Sequence, residues 1–534
     1  MTSLGLAPSR TATINPWVVA GAVVIPTFME VLDTTIANVA LRYIAGGLSA
    51  AVIDSEWVIT SYLAANATIL PISGWLSARL GRRNYFMLSI AVFTIASGLC
   101  GLATSLNQLI AFRVVQGLAG GGLQPSSQAV LLDAFPREKQ GAAMTVFGLA
   151  ALLAPVIGPT LGGYLTDYYS WRYIFYINLP VGLLALVACH FLLEDPPYLK
   201  AERAELRKKP LNFDYIGFGL LALTMSSWEI MLSKGQQWDW LGDVFWRVQT
   251  LLVLFVGGLT LLIIRELRIK DPVVNFRPLA ERNFAACCII IFCAYGALYA
   301  SSTSLPALLQ TLFGYDAYHS GLVLSPSGIA SILALIVVGR LLGLGIDARW
   351  FIAGGLLVLA ASSYWTSLLN LEVSPWQVVW PRVALIAGLS MTFAPLNVAA
   401  YLYTPRHLRG AAVGLFALLR NEGGSVGTSV AQTIQERREI FHELRLNEHL
   451  DPYNPVLTEF AQKSQAALER VTGDPAAAKS MSLQVLDNLR LQQASSLAYF
   501  DVFWVVGVIS FVLVFLVLLM KPSAAEKGAT VGAE

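Results

Sequence analysis

Arg113-Val114-Val115-Gln116-Gly117 opens a stretch that continues through Pro136-Arg137, Gly141-Ala142-Ala143, Phe147 and Gly158. Its landmarks return 269 residues later as Arg382, Pro405-Arg406, Gly410-Ala411-Ala412, Phe416 and Gly427. Each copy sets an arginine inside an apolar run, follows it with a short basic loop, and then enters a helix rich in small residues. That pattern is expected of a transporter made of two related helical bundles around a shared central site. Function should therefore lie between the halves.

Composition agrees with a membrane location. The chain has 534 residues, 56% of them hydrophobic and 13% charged, with a mean hydropathy of +0.61. That is more apolar surface than a soluble domain can bury. Runs such as Leu251–Ile264, Ala285–Ala300 and Val502–Met520 approach the ~20 residues that cross a ~30 Å hydrocarbon layer as a helix. Barrel strands would be half as long and would alternate in polarity. Polar residues 2–15 lead into the first run without a small-residue cleavage pattern, so this helix is expected to stay. The net charge of +2 is nearly neutral and says little by itself, and no nucleic acid is expected as a partner.

The reading is an all-α integral membrane protein of about fourteen spans, two six-helix bundles plus two extra helices between them. The repeat offset supports this count, because it pairs the fourth span with the twelfth and the fifth with the thirteenth. The expected organisation is an N-terminal bundle over 1–193, a cytoplasmic linker over 194–213 and two inserted helices with their linker over 214–282. A C-terminal bundle over 283–520 includes an outer loop at 433–496, and a tail occupies 521–534. With both termini inside, about 22 of the 36 Lys and Arg fall on the cytoplasmic side, which satisfies the positive-inside rule. They are Arg10, Arg79, Arg82, Arg83, Arg137, Lys139, the basic residues of 200–209 and 265–282, Arg340, Arg349, Arg406, Arg409, Lys521 and Lys527. The outer loop is polar, with helical periodicity over 435–450, 457–471 and 476–497, so it reads either as a helical cap or as a solvated connector.

Ionisable groups inside a bilayer cost several kcal/mol unless paired or hydrated, which makes each one a functional candidate. Glu30 and Asp33 stand three apart in the first span and share one helix face. Counting ~1.5 Å per residue, Asp33 lies roughly 24 Å above the inner end of its helix, and Arg113 roughly 9 Å below the outer face, so their depths nearly coincide. Such a pair is either a structural clasp or a proton switch, since a neighbouring cation and desolvation pull a carboxyl in opposite directions. Glu30 adds a negative charge suited to a cationic substrate, or else is a neutral hydrogen-bonded core residue. In the second half, Arg420 and Glu422 lie two apart and should find different partners, with Glu422 a candidate proton or cation site. Arg382 is expected to serve the second bundle as Arg113 serves the first. Glu229 lies nearer the outer end and is expected to reach water. Tyr295, Tyr299 and Trp228 either line a cavity or face lipid. Pro155, Gly158, Pro159, Gly162 and Gly163 should bend the fifth span and let it approach a neighbour closely. Cys100, Cys189, Cys287, Cys288 and Cys293 read as packing residues, and the five histidines form no ligand set, so no metal, cofactor or catalytic residue is expected.

At these residues the chain resembles the major facilitator superfamily, in its fourteen-span drug:proton antiporter branch of EmrB-type exporters. The resemblance covers about residues 15 to 520 and rests on several motifs in order. These are Leu32-Asp33-Thr34-Thr35-Ile36-Ala37-Asn38-Val39-Ala40-Leu41, Arg113-Val114-Val115-Gln116-Gly117, Gly158-Pro159-Thr160-Leu161-Gly162-Gly163 and Trp171-Arg172-Tyr173-Ile174-Phe175-Tyr176-Ile177-Asn178-Leu179-Pro180. Two departures stand out. Arg42 occupies the place of a proline, and Ala78 the place of an aspartate, so the cytoplasmic latch made by that carboxylate in relatives should be absent or rebuilt.

The resemblance implies proton-coupled efflux of amphipathic, cationic drugs by alternating access across a bacterial inner membrane. Asp33, Arg113 and Glu422 would couple protons, and Glu30, Asp33, Arg382, Arg420, Glu422 and Tyr295 would line the substrate cavity. It also implies a tripartite pump in which 433–496 meets a periplasmic membrane-fusion adaptor and, through it, an outer-membrane channel. The competing readings are export of one metabolite, such as a siderophore, lipid or fatty acid, on Arg113, Arg382 and Arg420, and a non-transporting sensor or scaffold. An intramembrane enzyme is disfavoured, as no His-Glu-x-x-His run exists.

Overall fold

The computed structural model describes residues 15–136, 139–196, 199–200, 203–204, 214–269, 272–405, 408–451 and 453–523. Arg10, Arg137, Arg406, Lys527, most of the linker at 194–213 and the tail beyond 523 lie outside them. Among the described residues every regular element is helical. The longer helices are α1 (Pro16–Gly47), α2 (Trp57–Ile69), α3 (Ser73–Leu80), α4 (Arg82–Leu102), α5 (Leu106–Gly120), α6 (Leu123–Ala134), α7 (Gln140–Tyr168) and α8 (Asn178–Leu192). They continue with α9 (Tyr215–Lys234), α10 (Arg247–Arg268), α11 (Arg282–Thr311), α12 (Ala317–Leu324), α13 (Pro326–Gly343), α14 (Ala348–Ser367), α15 (Pro375–Leu402), α16 (Arg409–Asn447), α17 (Pro455–Thr472) and α18 (Pro475–Val517).

Among the described residues nine helices are long and apolar enough to cross a bilayer, or ten if the two limbs of α7 count as one crossing. This falls short of fourteen for a physical reason. The segment α2–α3 is broken at Pro71 and α5–α6 at Gly121-Gly122, while α14 and α16 carry polar or ionisable residues within their apolar stretch. Length and apolarity therefore establish an all-α, multi-pass membrane protein but not the exact number of crossings.

Local chemistry sets the helix ends. Asn15 caps α1, accepting from the Trp17 amide at 3.0 Å with Pro16 in the first turn. With Arg42 in place of proline, α1 runs unbroken to Gly47, and Tyr43 then donates to Asp167 of α7. The limbs of α7, Ala142–Pro155 and Ile157–Tyr168, meet at 42°, as two prolines in one helix dictate. Gly158 and Gly162 let the second limb lie directly on Thr35 and Ile36 of α1. A Cβ on Gly162 would stand 3.3 Å from the Ile36 carbonyl oxygen.

The same device recurs in the second half, where Gly427 of α16 lies against the backbone of Gly296 in α11 with no room for a Cβ. The halves touch along their length. At the end bearing the basic loops, a Cβ on Gly74 would come within 3.1 Å of the Gly410 carbonyl oxygen. Midway, Phe147 stacks on Phe393 at 6.2 Å, and Gln128 donates to Asn397 at 2.6 Å. Gln128 and Asn397 are themselves 269 residues apart, so equivalent positions of the two copies meet each other across the junction.

The inserted helices form a hairpin whose α9 rests on α2 and α16, whereas only 17% of the apolar window of α10 is buried. That leaves α10 as a peripheral, lipid-facing helix. The described residues of 433–496 are largely helical, as the periodicity predicts. Helix α16 runs on to Asn447, α17 packs against the extension of α18 through Ser464 and Ser482, and Arg438 and His442 both reach Asp501. Trp240 of the inserted loop donates to Thr433 at 3.1 Å and ties the hairpin to the foot of the cap. At the basic end, where Ala78 removes a carboxylate, Asp133 accepts from Arg82, and Asp195 accepts from the Arg83 amide at 2.8 Å.

Candidate functional site

Asp33 and Arg113 come together midway along their helices. Arg113 donates through Nη1 to Asp33 Oδ2 at 2.5 Å, with Arg113 wholly buried and Asp33 3% exposed. Gln116 and Asn178 donate to Asp33 Oδ1 at 3.0 and 2.8 Å. The guanidinium is held from the other side by the Val58 carbonyl at 3.0 Å, by Gln116 Oε1 at 2.9 Å and by the Tyr62 ring 4.2 Å from its carbon. A buried ion pair survives only when further hydrogen bonds satisfy its remaining atoms, and here two amides do so for the carboxylate. Gln116 and Asn178 were not singled out from the sequence. Both sit inside quoted motifs, so the signal was present without an assignment.

Glu30, one turn nearer the N-terminus, has a different character. It accepts from Gln124 through Oε2, and from Asn66 at 3.1 Å and Tyr62 at 3.3 Å through Oε1. Gln124 in turn accepts from Arg420, and Asn66 accepts from Asn421 at 3.2 Å. Two amides thus link one carboxyl of the first helix to two adjacent residues of α16 in the other half. The Arg420 guanidinium also lies 5.5 Å from the rings of Phe147 and Tyr295. Tyr295 is 4% exposed, so it lies inside the protein and not against lipid, whereas Trp228 stacks on Phe255 at 4.4 Å between the inserted helices.

Arg382 is also buried, but no acid among the described residues pairs with it. It donates to Ser301 and, at 2.9 Å, to Ser302. Ser302 stands 269 residues after Asp33, so the arginine of the repeat is retained while its carboxylate partner is a hydroxyl. The expectation that Glu229 reaches water fails. It is 3% exposed because its face of α9 is turned onto α16, where it accepts from Ser425 at 3.0 Å and faces Glu422. Outside the spans, the Arg265 guanidinium beside Asp214 holds that carboxyl below the usual range and fastens the two ends of the inserted hairpin.

Buried ionisable groups gathered between two related halves of a multi-pass membrane protein define a transporter. The chain belongs to the Major Facilitator Superfamily, whose profile matches residues 23–428. It is 33% identical over 513 residues to the multidrug export protein EmrB of Escherichia coli strain K12, covering 96% of each chain. It is 34% identical over 500 residues to the fatty acid resistance protein FarB of Neisseria gonorrhoeae, covering 93% of this chain and 94% of that one. Among solved structures the proton:xylose symporter XylE matches with a TM-score of 0.56 over 94% of this chain and 95% of that one, at 12% identity, which speaks for the fold alone. The protein is a secondary transporter and not an enzyme.

Proposed function

We propose that this protein exports amphipathic, cationic compounds across a bacterial inner membrane in exchange for protons, by rocking of the two bundles over 1–193 and 283–520. The observation that carries the reading is the pairing of two acids on one face of α1 with two different arginines. Asp33 is held by Arg113 within its own half, and Glu30 is tied through Gln124 to Arg420 of the other. A proton on Asp33 removes the charge that Arg113 holds, and a cation beside Glu30 competes with Arg420 for the contact that joins the halves. Loading of either group is thereby linked to separation of the bundles. Glu422 is the acid of the second half in this scheme, and Tyr295 contributes an aromatic wall. One proton moving inward at 100 mV supplies ~2.3 kcal/mol, enough for moderate concentration of substrate.

Fourteen crossings with both termini cytoplasmic satisfy the charge distribution best. The cap at 433–496 then stands in the periplasm. There it is positioned to meet a membrane-fusion adaptor leading to an outer-membrane channel, and it exposes the apolar Tyr453, Val456 and Val471. EmrB-named relatives support the multidrug assignment.

The test is proton-driven ethidium uptake into inverted vesicles. Asp33→Asn is expected to insert normally and to reduce uptake to background, and uptake by that variant at wild-type rate would overturn the assignment. Arg382, with hydroxyl partners only, favours a second reading in which an anionic metabolite is the cargo. Fatty acid uptake without ethidium uptake in the same vesicles would select it.

A further inference from the structure

The inserted hairpin distinguishes this chain from a plain two-bundle transporter, and it carries one buried acid toward the transport core. Glu229 of α9 and Glu422 of α16 are 3% and 6% exposed, and Glu229 is hydrogen-bonded to Ser425, one helical turn beyond Glu422 on α16, so the two acids meet at one contact between these helices. Glu229 accepts from Ser425 Oγ at 3.0 Å, and four residues on, Ser429 Oγ donates to the Leu232 carbonyl at 2.7 Å, so a serine ladder holds the helices in register. Both oxygens of Glu422 are buried without a hydrogen bond from the described residues.

Among the described residues no cation forms an ion pair with either acid. Arg420, two residues before Glu422, is turned to Gln124 on another face of α16. From α2, the groups facing α9 are Glu56 and Thr60, which are engaged with Lys234 and Ser233 above the pair. From α10 the neighbour of Trp228 is the apolar Phe255, and from α11 the titratable neighbour is Tyr299, packed on Gly424. Two carboxylates facing each other in a dry interior repel, whereas one proton shared between them turns repulsion into a hydrogen bond.

We propose that Glu229 and Glu422 form a second proton-carrying pair, which holds one proton between the inserted helix and the second bundle and releases it when those helices part. In the release step the O–H bond of the shared carboxyl breaks, and the proton passes to water admitted between α9 and α16. Both carboxylates are then hydrated. This rests on the proton-coupled reading above and adds a site that the two-bundle core does not supply.

The experiment uses the full-length purified protein in proteoliposomes, with ethidium as the probe. Infrared difference spectra between neutral and alkaline buffer report protonated carboxyls, and an internal pH dye reports protons moved per ethidium. Glu229→Gln and Glu422→Gln are each expected to remove the same carboxyl band and to lower the proton count by one. Asp33→Asn is expected to stop transport while leaving that band in place. A band that survives both glutamine substitutions overturns the proposal, as does an unchanged proton count, or a loss of ethidium binding without a change in that count. If wild-type protein moves no ethidium, the export reading fails, and the infrared arm still decides whether the pair shares a proton. Should one variant not accumulate, the other answers for the pair, because both are to erase one band.

Discussion

Arg113 and Arg382 are the same residue of one repeat, yet they sit in opposite electrostatic settings. The first is neutralised by Asp33 and surrounded by amides, and the second has Ser301 and Ser302 alone. Duplication kept the cation in both halves and left the titratable acid in one. The difference teaches that the two halves are alike in packing and unlike in chemistry. At this position the first half pairs its arginine with an acid, while the second surrounds its arginine with hydroxyls.

The largest expected effect breaks that contrast directly. Arg113→Ala leaves Asp33 buried without its cation and is expected to cost about 3–5 kcal/mol. Arg382→Ala leaves hydroxyls behind and is expected to cost about 1–3 kcal/mol. Thermal unfolding of the purified variants checks this, and equal losses would refute the distinction. Next come the glycines. Gly427→Ala meets the Gly296 backbone, which cannot turn aside, while Gly158→Ala meets the Thr35 side chain. Overpacking of about 1–3 kcal/mol is expected, with Gly427→Ala the more damaging in yield and melting temperature. A smaller effect sharpens the comparison from the other side. Ser302→Asp restores the missing acid beside Arg382 and should change stability by less than about 1 kcal/mol, because desolvation offsets the new attraction. A gain as large as the loss in Arg113→Ala would show that the pair is worth more than its environment.

The smallest effect concerns the inserted hairpin. Asp214, whose carboxyl Arg265 holds below the ordinary value, stabilises the fold above that value and loses the contribution as pH falls through its lowered one. Asp214→Asn is expected to lower stability by up to about 1 kcal/mol at neutral pH, as a partly exposed ion pair does. Its deficit should disappear as pH falls below 3.8. A deficit that persists in acid would point to packing instead of charge.

Much of the scaffold was legible because membrane helices advertise themselves through length, apolarity and repeat spacing. The bend of α7 followed from Pro155 and Pro159, and the shared face of Glu30 and Asp33 from their spacing of three. Other features were not legible. Glu229 looked peripheral by its position along α9, and only the rotation of that helix onto α16 buried it. Gln116 and Asn178 lay inside motifs without an assigned role, and Gln124 and Asn66 carried no distinguishing signal, since an amide becomes informative only when the group it satisfies is known.

By itself, the sequence determined that this is a duplicated, all-helical membrane transporter with few ionisable groups in its spans, because hydropathy and spacing are properties of one chain segment at a time. The tertiary structure alone decided which acid meets which base. Asp33 is paired within its half, Glu30 is bridged to the other half, Arg382 has no acid, and Glu229 faces Glu422. Those pairings depend on helix rotation and contact across hundreds of residues, where differences of a few ångströms decide whether a buried charge is balanced.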